Sequence, residues 1–281
     1  MSIKKYLKPF CPPILLDLFN AMAGRCIRFS GNYASWSAAS AGATGYSADS
    51  ILNTVIAATA KVISGEVGFE RDGQTFNAMA YPFPLIATLL KAAAENGGQL
   101  TVLDFGGALG SSYRQCRDFL HPVKDLRWCV VEQPHFADAG NQYFLSDKLL
   151  FFKEMKTVVA EYKPNVVLFS GVLQYLPEPY VVLGQAIDSL ADYIVVDRQP
   201  FIEGDASVIS LQKTPQQIIE SSYPVWLFSE AEFRRAFSGR YSAIASFDAV
   251  DGIIGRGRLK ATFKGIVFKK IDSAAHRTDG S

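Results

Sequence analysis

Between Thr101 and Gly110 the chain reads TVLDFGGALG, an apolar run that carries one acid, Asp104, and then breaks on Gly106, Gly107 and Gly110. A helix is predicted immediately after, over Ser111 to Leu120. Strand, glycine turn and helix in that order open a nucleotide-type βαβ unit. Glycines at such a turn let backbone N–H groups approach a ligand closely, at the positive end of a helix. The spacing is not the G-x-G-x-x-G of a dinucleotide site. Here an acid is followed by Gly106-x-Ala108-x-Gly110. A second acid, Glu132, closes the apolar run CVVE about 20 residues later, the distance at which such folds place a carboxylate on ribose hydroxyls. A carboxylate suits that task because it only accepts and can take both hydroxyls at once. The adjoining Gln133 is grouped with it.

A third run, KPNVVLFSGVLQYLP from Lys163 to Pro177, reads as a buried strand ended by glycine and proline. The three runs, in this order, resemble class I S-adenosylmethionine (SAM) dependent methyltransferases. The first matches that family's D-x-G-x-G-x-G turn. The third matches its fourth strand and following loop, usually DVV…S.VL.YL. The resemblance implies SAM as cofactor and S-adenosylhomocysteine as product. It places Asp104, Gly106, Gly107, Ala108, Gly110, Glu132, Gln133, Ser170, Gly171 and Gln174 around it. The chain departs from the family pattern at three positions. Ala108 replaces the middle glycine, Asn165 an acid, and Gln174 a histidine. The adenine-binding acid expected after the third strand has no clear match, Glu154 being the nearest.

Further runs widen the resemblance to nearly the whole chain. They are W-S-x-A at Trp36, Gly45-Tyr46, F-E-R-D from Phe69 to Asp72, V-D-R-Q-P from Val196 to Pro200, and S-S-Y-P from Ser221 to Pro224 with Trp226 and Phe228 beyond. Together they resemble a bacterial family of methyltransferase-like proteins encoded among surface-polysaccharide genes. That implies O-methylation of a sugar or of a glycan or lipid-linked precursor.

The elements that must position these residues follow from periodicity. Strands are predicted at Leu100–Phe105, Trp128–Glu132, Leu149–Phe152, Asn165–Ser170 and Tyr193–Asp197. Helices between them are predicted at Ser111–Leu120, His135–Asp147, Glu154–Tyr162 and Pro179–Leu190. This alternation predicts an α/β, Rossmann-like, doubly wound sheet with right-handed crossovers. Arg198 to Pro224 reads as a polar stretch. A helix follows from Ser229, with Glu232 completing a capping box. Two more strands, Tyr241–Asp248 and Ala261–Phe268, flank the glycine-rich DGIIGRGR and form a hairpin. The expectation is a seven-stranded, mostly parallel sheet with an antiparallel last strand. Upstream, helices are predicted at Ile51–Ser64, capped by Ser50, and at Pro84–Glu95. Residues 29–50 read as a glycine- and serine-rich loop holding Tyr33, Trp36 and Tyr46. The division expected is a helical and aromatic-loop cap over 1–80, a SAM-binding domain over 81–271, and a disordered tail over 272–281.

Composition bounds the function. The chain has 281 residues, 49% hydrophobic and 20% charged, enough for a sizeable core. Its net charge of +1 argues against nucleic acid as a partner, and the resemblance implies a small-molecule or glycan acceptor. Cys11, Cys26, Cys116 and Cys129 are scattered and there are three histidines, so neither a metal site nor a disulfide framework is expected. A reducing cytoplasm is the default compartment. Lys4, Lys5 and Lys8 precede an apolar helical stripe, Ile14, Leu15, Leu18, Phe19, Met22 and Cys26. That segment docks on the domain, or else lies at the inner face of a membrane.

Methyl transfer to a hydroxyl asks for alignment and for a base. Asp197, ending the fifth strand, is the first candidate base, with an ion pair to Arg198 as its structural alternative. Tyr33, Trp36, Arg198 and Tyr223 are candidate acceptor contacts, Arg198 for its bidentate match to an anionic group. Two other functions compete. An NAD(P)-linked sugar oxidoreductase conflicts with the glycine spacing and lacks a Tyr-x-x-x-Lys pair after the fourth strand. A catalytically silent methyltransferase-like binding module would account for Ala108 and for the missing adenine acid.

Overall fold

The computed structural model describes residues 27–43, 48–214, 221–255 and 257–272. The N-terminal apolar stripe, Tyr46 and the tail beyond Asp272 lie outside the described residues. The described chain opens with β1 (Arg28–Tyr33), α1 (Trp36–Ala41) and α2 (Ala48–Ile63). A small hairpin follows, β2 (Phe69–Arg71) and β3 (Gln74–Phe76), and then α3 (Phe83–Glu95). Alternation begins with β4 (Gln99–Phe105), α4 (Ser111–Cys116), β5 (Asp125–Val131), α5 (Pro134–Tyr143) and β6 (Leu149–Phe152). It continues through α6 (Met155–Tyr162), β7 (Val166–Ser170), α7 (Pro179–Asp188) and β8 (Tyr193–Ile202). The last elements are β9 (Val208–Thr214), β10 (Ser221–Ser229), α8 (Glu230–Arg235), β11 (Tyr241–Ile254) and β12 (Ala261–Lys270).

Strands β6, β5, β4, β7 and β8 lie side by side in that order and run parallel. β12 then pairs antiparallel with β8, and β11 with β12. This is a Rossmann-like α/β sheet, mostly parallel at its centre and antiparallel at its edges. Period-two side-chain alternation builds a core on each face. Leu103, Cys129, Val131, Val167, Phe169, Ile194 and Val196 face one core with Leu183, Ile187, Phe233 and Phe237 of the covering helices. Leu100, Val102, Trp128, Val130, Leu168 and Val195 face the other with Leu85, Leu89 and Cys116. The winding moves outward from β4 to β6, then returns to β7 beside β4. The switch point therefore lies between β4 and β7, and ligands of such sheets bind there, beyond the carboxyl ends of the strands.

The sheet is larger than expected: ten strands rather than seven among the described residues. Arg198 to Pro224 is not a polar connection. It extends β8 and forms β9, and β10 begins within it. Residues 29–50 are not simply a loop, because β1 pairs antiparallel with β9 and α1 follows it. Ile209, Leu211, Val225 and Leu227 are buried, and the polar Ser210, Gln212 and Ser222 are buried beside them, so composition alone hid the strands. Helix α2 starts at Ala48, so Ser50 lies inside its first turn. Helix α5 stops at Tyr143, short of the expected Asp147. At α8 the expected cap forms: the Glu232 N–H donates to Ser229 Oγ. The box closes through a third residue, since Glu232 Oε2 accepts from Ser207 N and Oγ, and Ser207 Oγ accepts from Ser229 N. Among the described residues, no helix is long and apolar enough to cross a membrane.

Candidate functional site

The glycine turn leaves the end of β4 and crosses the switch point. Gly106 has φ +72°, and a Cβ there would lie 2.4 Å from Val172 Cγ2, in the loop after β7. A Cβ at Gly107 would lie 2.5 Å from Asp104 Oδ2. The two loops thus close on each other, and the turn rests on the Asp104 carboxyl. Ala108 adopts φ +50°, the conformation for which glycine is usual. Its methyl packs against the cluster of Val55, Leu109, Phe136 and Ala139, so an alanine fits a position that the resemblance marks as glycine. From beneath, the Arg114 guanidinium donates to the carbonyls of Leu109 and Gly110.

Asp104 is 0% exposed. Its Oδ2 accepts from Trp128 Nε1 at 2.9 Å, while Oδ1 has no partner among the described residues. Burial pushes its pKa up to about 7, against the opposing pull of the Trp128 hydrogen bond. Glu132 projects from the end of β5 toward the turn. Its Oε1 accepts from the Ala108 N–H at 3.1 Å and its Oε2 from the Gln133 N–H at 2.8 Å. Burial raises its pKa as well. The two expected cofactor acids therefore differ in placement: Glu132 faces the cleft, and Asp104 supports the turn from below.

That cleft, about 560 Å³, is lined by Gly106, Ala108, Glu132, Gln133, Ser170 and Gly171 together. Apolar walls come from Val55, Phe105, Val131, Phe136 and Val172. Residues distant in sequence but equivalent in strand register thus meet at one edge. A smaller hollow of about 50 Å³ opens from it, sharing Asp72, Gly106, Ala108 and Ser170 and adding Glu70, Arg71, Asp104, Ser111 and Asp197. Gln174 is buried and lines neither space. Its Nε2 donates to the Arg198 carbonyl at 3.4 Å.

Asp197 and Arg198 owe their placement to a β-bulge. Gln199 pairs with Lys264 and Val196 with Ile266, so two residues of β8 oppose the single Gly265 of β12. A bulge re-aims side chains, and Arg198 takes φ +58° to make this one. Asp197 Oδ1 accepts from the Arg198 backbone N–H at 2.8 Å, and burial raises its pKa above the ordinary carboxylate range. The Arg198 guanidinium makes its ion pairs elsewhere. It forks onto Asp251 at 3.0 and 3.2 Å and reaches Asp72 at 3.1 Å. Burial works against its charge, and these two acids overcome that. The bidentate carboxylate expected on an acceptor is therefore already supplied by Asp251.

The candidate acceptor aromatics separate. Tyr33 and Trp36 pack with Ile209, Leu211 and Trp226 on the β1–β9–β10 wing, Trp36 stacking on Trp226 at 6.5 Å. They anchor the wing and do not line the cleft. Tyr223 sits nearer: Gln212 Nε2 donates to its hydroxyl at 2.8 Å, and Tyr175, which lines the cleft, donates to Gln212 Oε1 at 3.3 Å. Sequence reasoning missed Tyr175 and Asp251 as site residues, and it left the F-E-R-D run without a role. That run forms the β2–β3 hairpin over the hollow, with Glu70 accepting from Ser111 Oγ and from the Gly73 N–H. Only its sequence before a glycine turn could have signalled this.

No family model matches the chain, and no curated protein sequence does so. Several solved structures are similar in fold. One is Burkholderia thailandensis 1,6-didemethyltoxoflavin-N1-methyltransferase with bound 1,6-didemethyltoxoflavin and S-adenosylhomocysteine, at 16% identity and TM-score 0.43, covering 82% of this chain and 93% of that one. Another is an amino pentose methyltransferase from Micromonospora echinaspora involved in calicheamicin biosynthesis, at 12% identity and TM-score 0.43, covering 66% and 91%. A third is a SAM-dependent methyltransferase from Clostridium acetobutylicum, at 10% identity and TM-score 0.43, covering 77% and 98%.

Proposed function

We propose that this protein is a SAM-dependent methyltransferase. The observation that carries the reading is the meeting of three elements at the β4–β7 switch point. They are the glycine turn, the Glu132 carboxylate bonded to the Ala108 N–H, and Ser170–Gly171 at the end of β7. The residues present fit such a cofactor. Each Glu132 oxygen accepts one N–H and keeps lone-pair capacity for a ribose hydroxyl. Val131, Phe136 and Val172 give the cleft apolar walls, and its volume suits a nucleoside with a side chain. When bound, SAM supplies the methyl group on a sulfonium and leaves as S-adenosylhomocysteine.

The chain's own part is to position and to deprotonate. Asp197 is the proposed base. Its raised pKa brings it nearer the range in which a general base works at neutral pH. The acceptor we propose is a hydroxyl of a sugar, or of a glycan or lipid-linked precursor. This rests on the family resemblance and on the neutral, hydroxyl-rich wall of Tyr175, Gln212 and Tyr223 beside the cleft. A cytoplasmic setting is supported by Cys116 and Cys129, both buried free thiols.

Isothermal titration with SAM, S-adenosylhomocysteine and NADPH tests the reading. Micromolar binding of the first two, weakened at least about tenfold in Glu132→Gln, is the expected result. Binding of NADPH alone, or of none of the three by folded protein, overturns it.

A further inference from the structure

The F-E-R-D run is conspicuous in sequence, and in the structure it covers the hollow, yet the proposed reaction gives it no part. Its two acids are both engaged. Glu70 is tied to Ser111, just past the glycine turn, and Asp72 to Arg198 at the β8 bulge. Between them stands Arg71. It is half-buried and lines the hollow with Gly106, Ser170 and Asp197. Its guanidinium lies 5.5 Å from the Phe69 ring and makes no hydrogen bond or ion pair with any described residue. The other arginines of the site differ. Arg114 is held by two carbonyls, and Arg198 by Asp72 and Asp251.

We infer that Arg71 is an anion anchor, taking the α-carboxylate at the amino-acid end of SAM; this rests on the methyltransferase reading above. A partly desolvated guanidinium without a partner is costly, and a planar carboxylate matches its fork. The hollow lies on the β7 and β8 side of the glycine turn, and Glu132 lies on the β5 side. A nucleoside held at Glu132 therefore has its amino-acid tail directed across the switch point. The hairpin fixes the guanidinium there because its neighbours on either side are tied to two different elements, the start of α4 and the β8 bulge. Asp72, Asp197 and Asp251 surround Arg71 electrostatically without reaching ion-pair distance. The assignment also explains why Arg198 cannot serve: its fork is filled.

The test compares two ligands. S-adenosylhomocysteine carries the amino-acid end, and 5′-methylthioadenosine lacks it. Both are titrated calorimetrically against the full chain, Arg71→Gln and Arg71→Lys. The expected result is a loss of at least about tenfold for S-adenosylhomocysteine in Arg71→Gln, with partial recovery in Arg71→Lys. Affinity for 5′-methylthioadenosine should stay within about twofold throughout, which also shows that each variant is folded. Equal loss for both ligands overturns the assignment, since Arg71 would then act only by placing the hairpin. Unchanged S-adenosylhomocysteine affinity overturns it too, while leaving the methyltransferase reading standing. Failure of the unsubstituted protein to bind either ligand removes both.

Discussion

Asp104 shows how burial sets the chemistry of a residue expected at a cofactor turn. The sequence marks it as the acid of a cofactor turn. In the fold it is sealed beneath that turn, with one oxygen on Trp128 and the other unpartnered. A carboxyl in that state resists ionisation. It titrates near about 3.9 in an unfolded chain and near about 7 in the fold. Between those values the folded state keeps the proton and the unfolded state releases it. The contribution of Asp104 to stability is therefore lost as pH rises from about 4 to about 7. Asp104→Asn, which can still accept from Trp128, should flatten the fall in Tm between about pH 4 and pH 7. Glu70, Glu132 and Asp197 also have raised pKa values, so part of the slope should remain. Thermal melts across that range check the difference; an identical slope in both proteins would falsify the buried-acid account.

At the scale of elements, the β8 bulge and the α8 cap decide most of the local geometry. Two residues opposing Gly265 turn Asp197 toward the hollow and set Arg198 against Asp251. The cap works more simply. Ser229 Oγ accepts the Glu232 N–H, and Ser207 Oγ accepts from the Ser229 N–H and donates to the Glu232 carboxylate. Ser229→Ala should cost about 1 kcal/mol, seen as a Tm lower by about 2–4 °C for a domain of this size. Ser207→Ala should cost a similar amount, since Glu232 then loses the hydroxyl that links it to Ser229. Chemical denaturation measures both, and a double variant that loses no more than either single one would confirm that the three residues act as a unit.

Across the whole molecule, the sheet divides into a centre covered on both faces and a wing, β1–β9–β10, joined to it chiefly through the end of β8. Hydrophobic cores flank the centre on each side, whereas the wing relies on smaller clusters around Phe29, Val225 and Ile209. Opening the wing exposes less apolar area than opening the centre. Amides of β4, β5, β7 and β8 should therefore exchange slowest, with those of β1 and β9 exchanging through a cheaper, local opening. Hydrogen exchange followed by mass spectrometry resolves the two, and common protection across all of these strands would show one cooperative unit instead. The wing also carries Tyr223 and Gln212, so its local stability bears on the proposed acceptor side of the cleft.

Local rules act over a few residues, and what they govern was legible in the chain. The apolar runs gave β4, β6 and β7 nearly to the residue, because both-face burial leaves continuous hydrophobic stretches. The turn at Gly106–Gly110 and the cap at Ser229 follow from backbone geometry and hydrogen-bonding chemistry that travel with the residue type. The doubly wound class followed from the alternation of strands and helices, while the return of β7 beside β4 belongs to the tertiary structure. Other features depend on groups brought together from far apart in the chain. Strands β9 and β10 bury polar residues, Ser210, Gln212 and Ser222, among their apolar ones, so their pattern is too weak to read until a partner strand is in place. The bulge exists only as a mismatch of register between β8 and β12. Arg198 looked free to bind a ligand because Asp72 and Asp251 stand far from it in sequence, and Arg71 looked ordinary until the hairpin enclosed it without a partner. Which charges are satisfied and which are left to a ligand is set by tertiary contact, since pairing needs proximity in space.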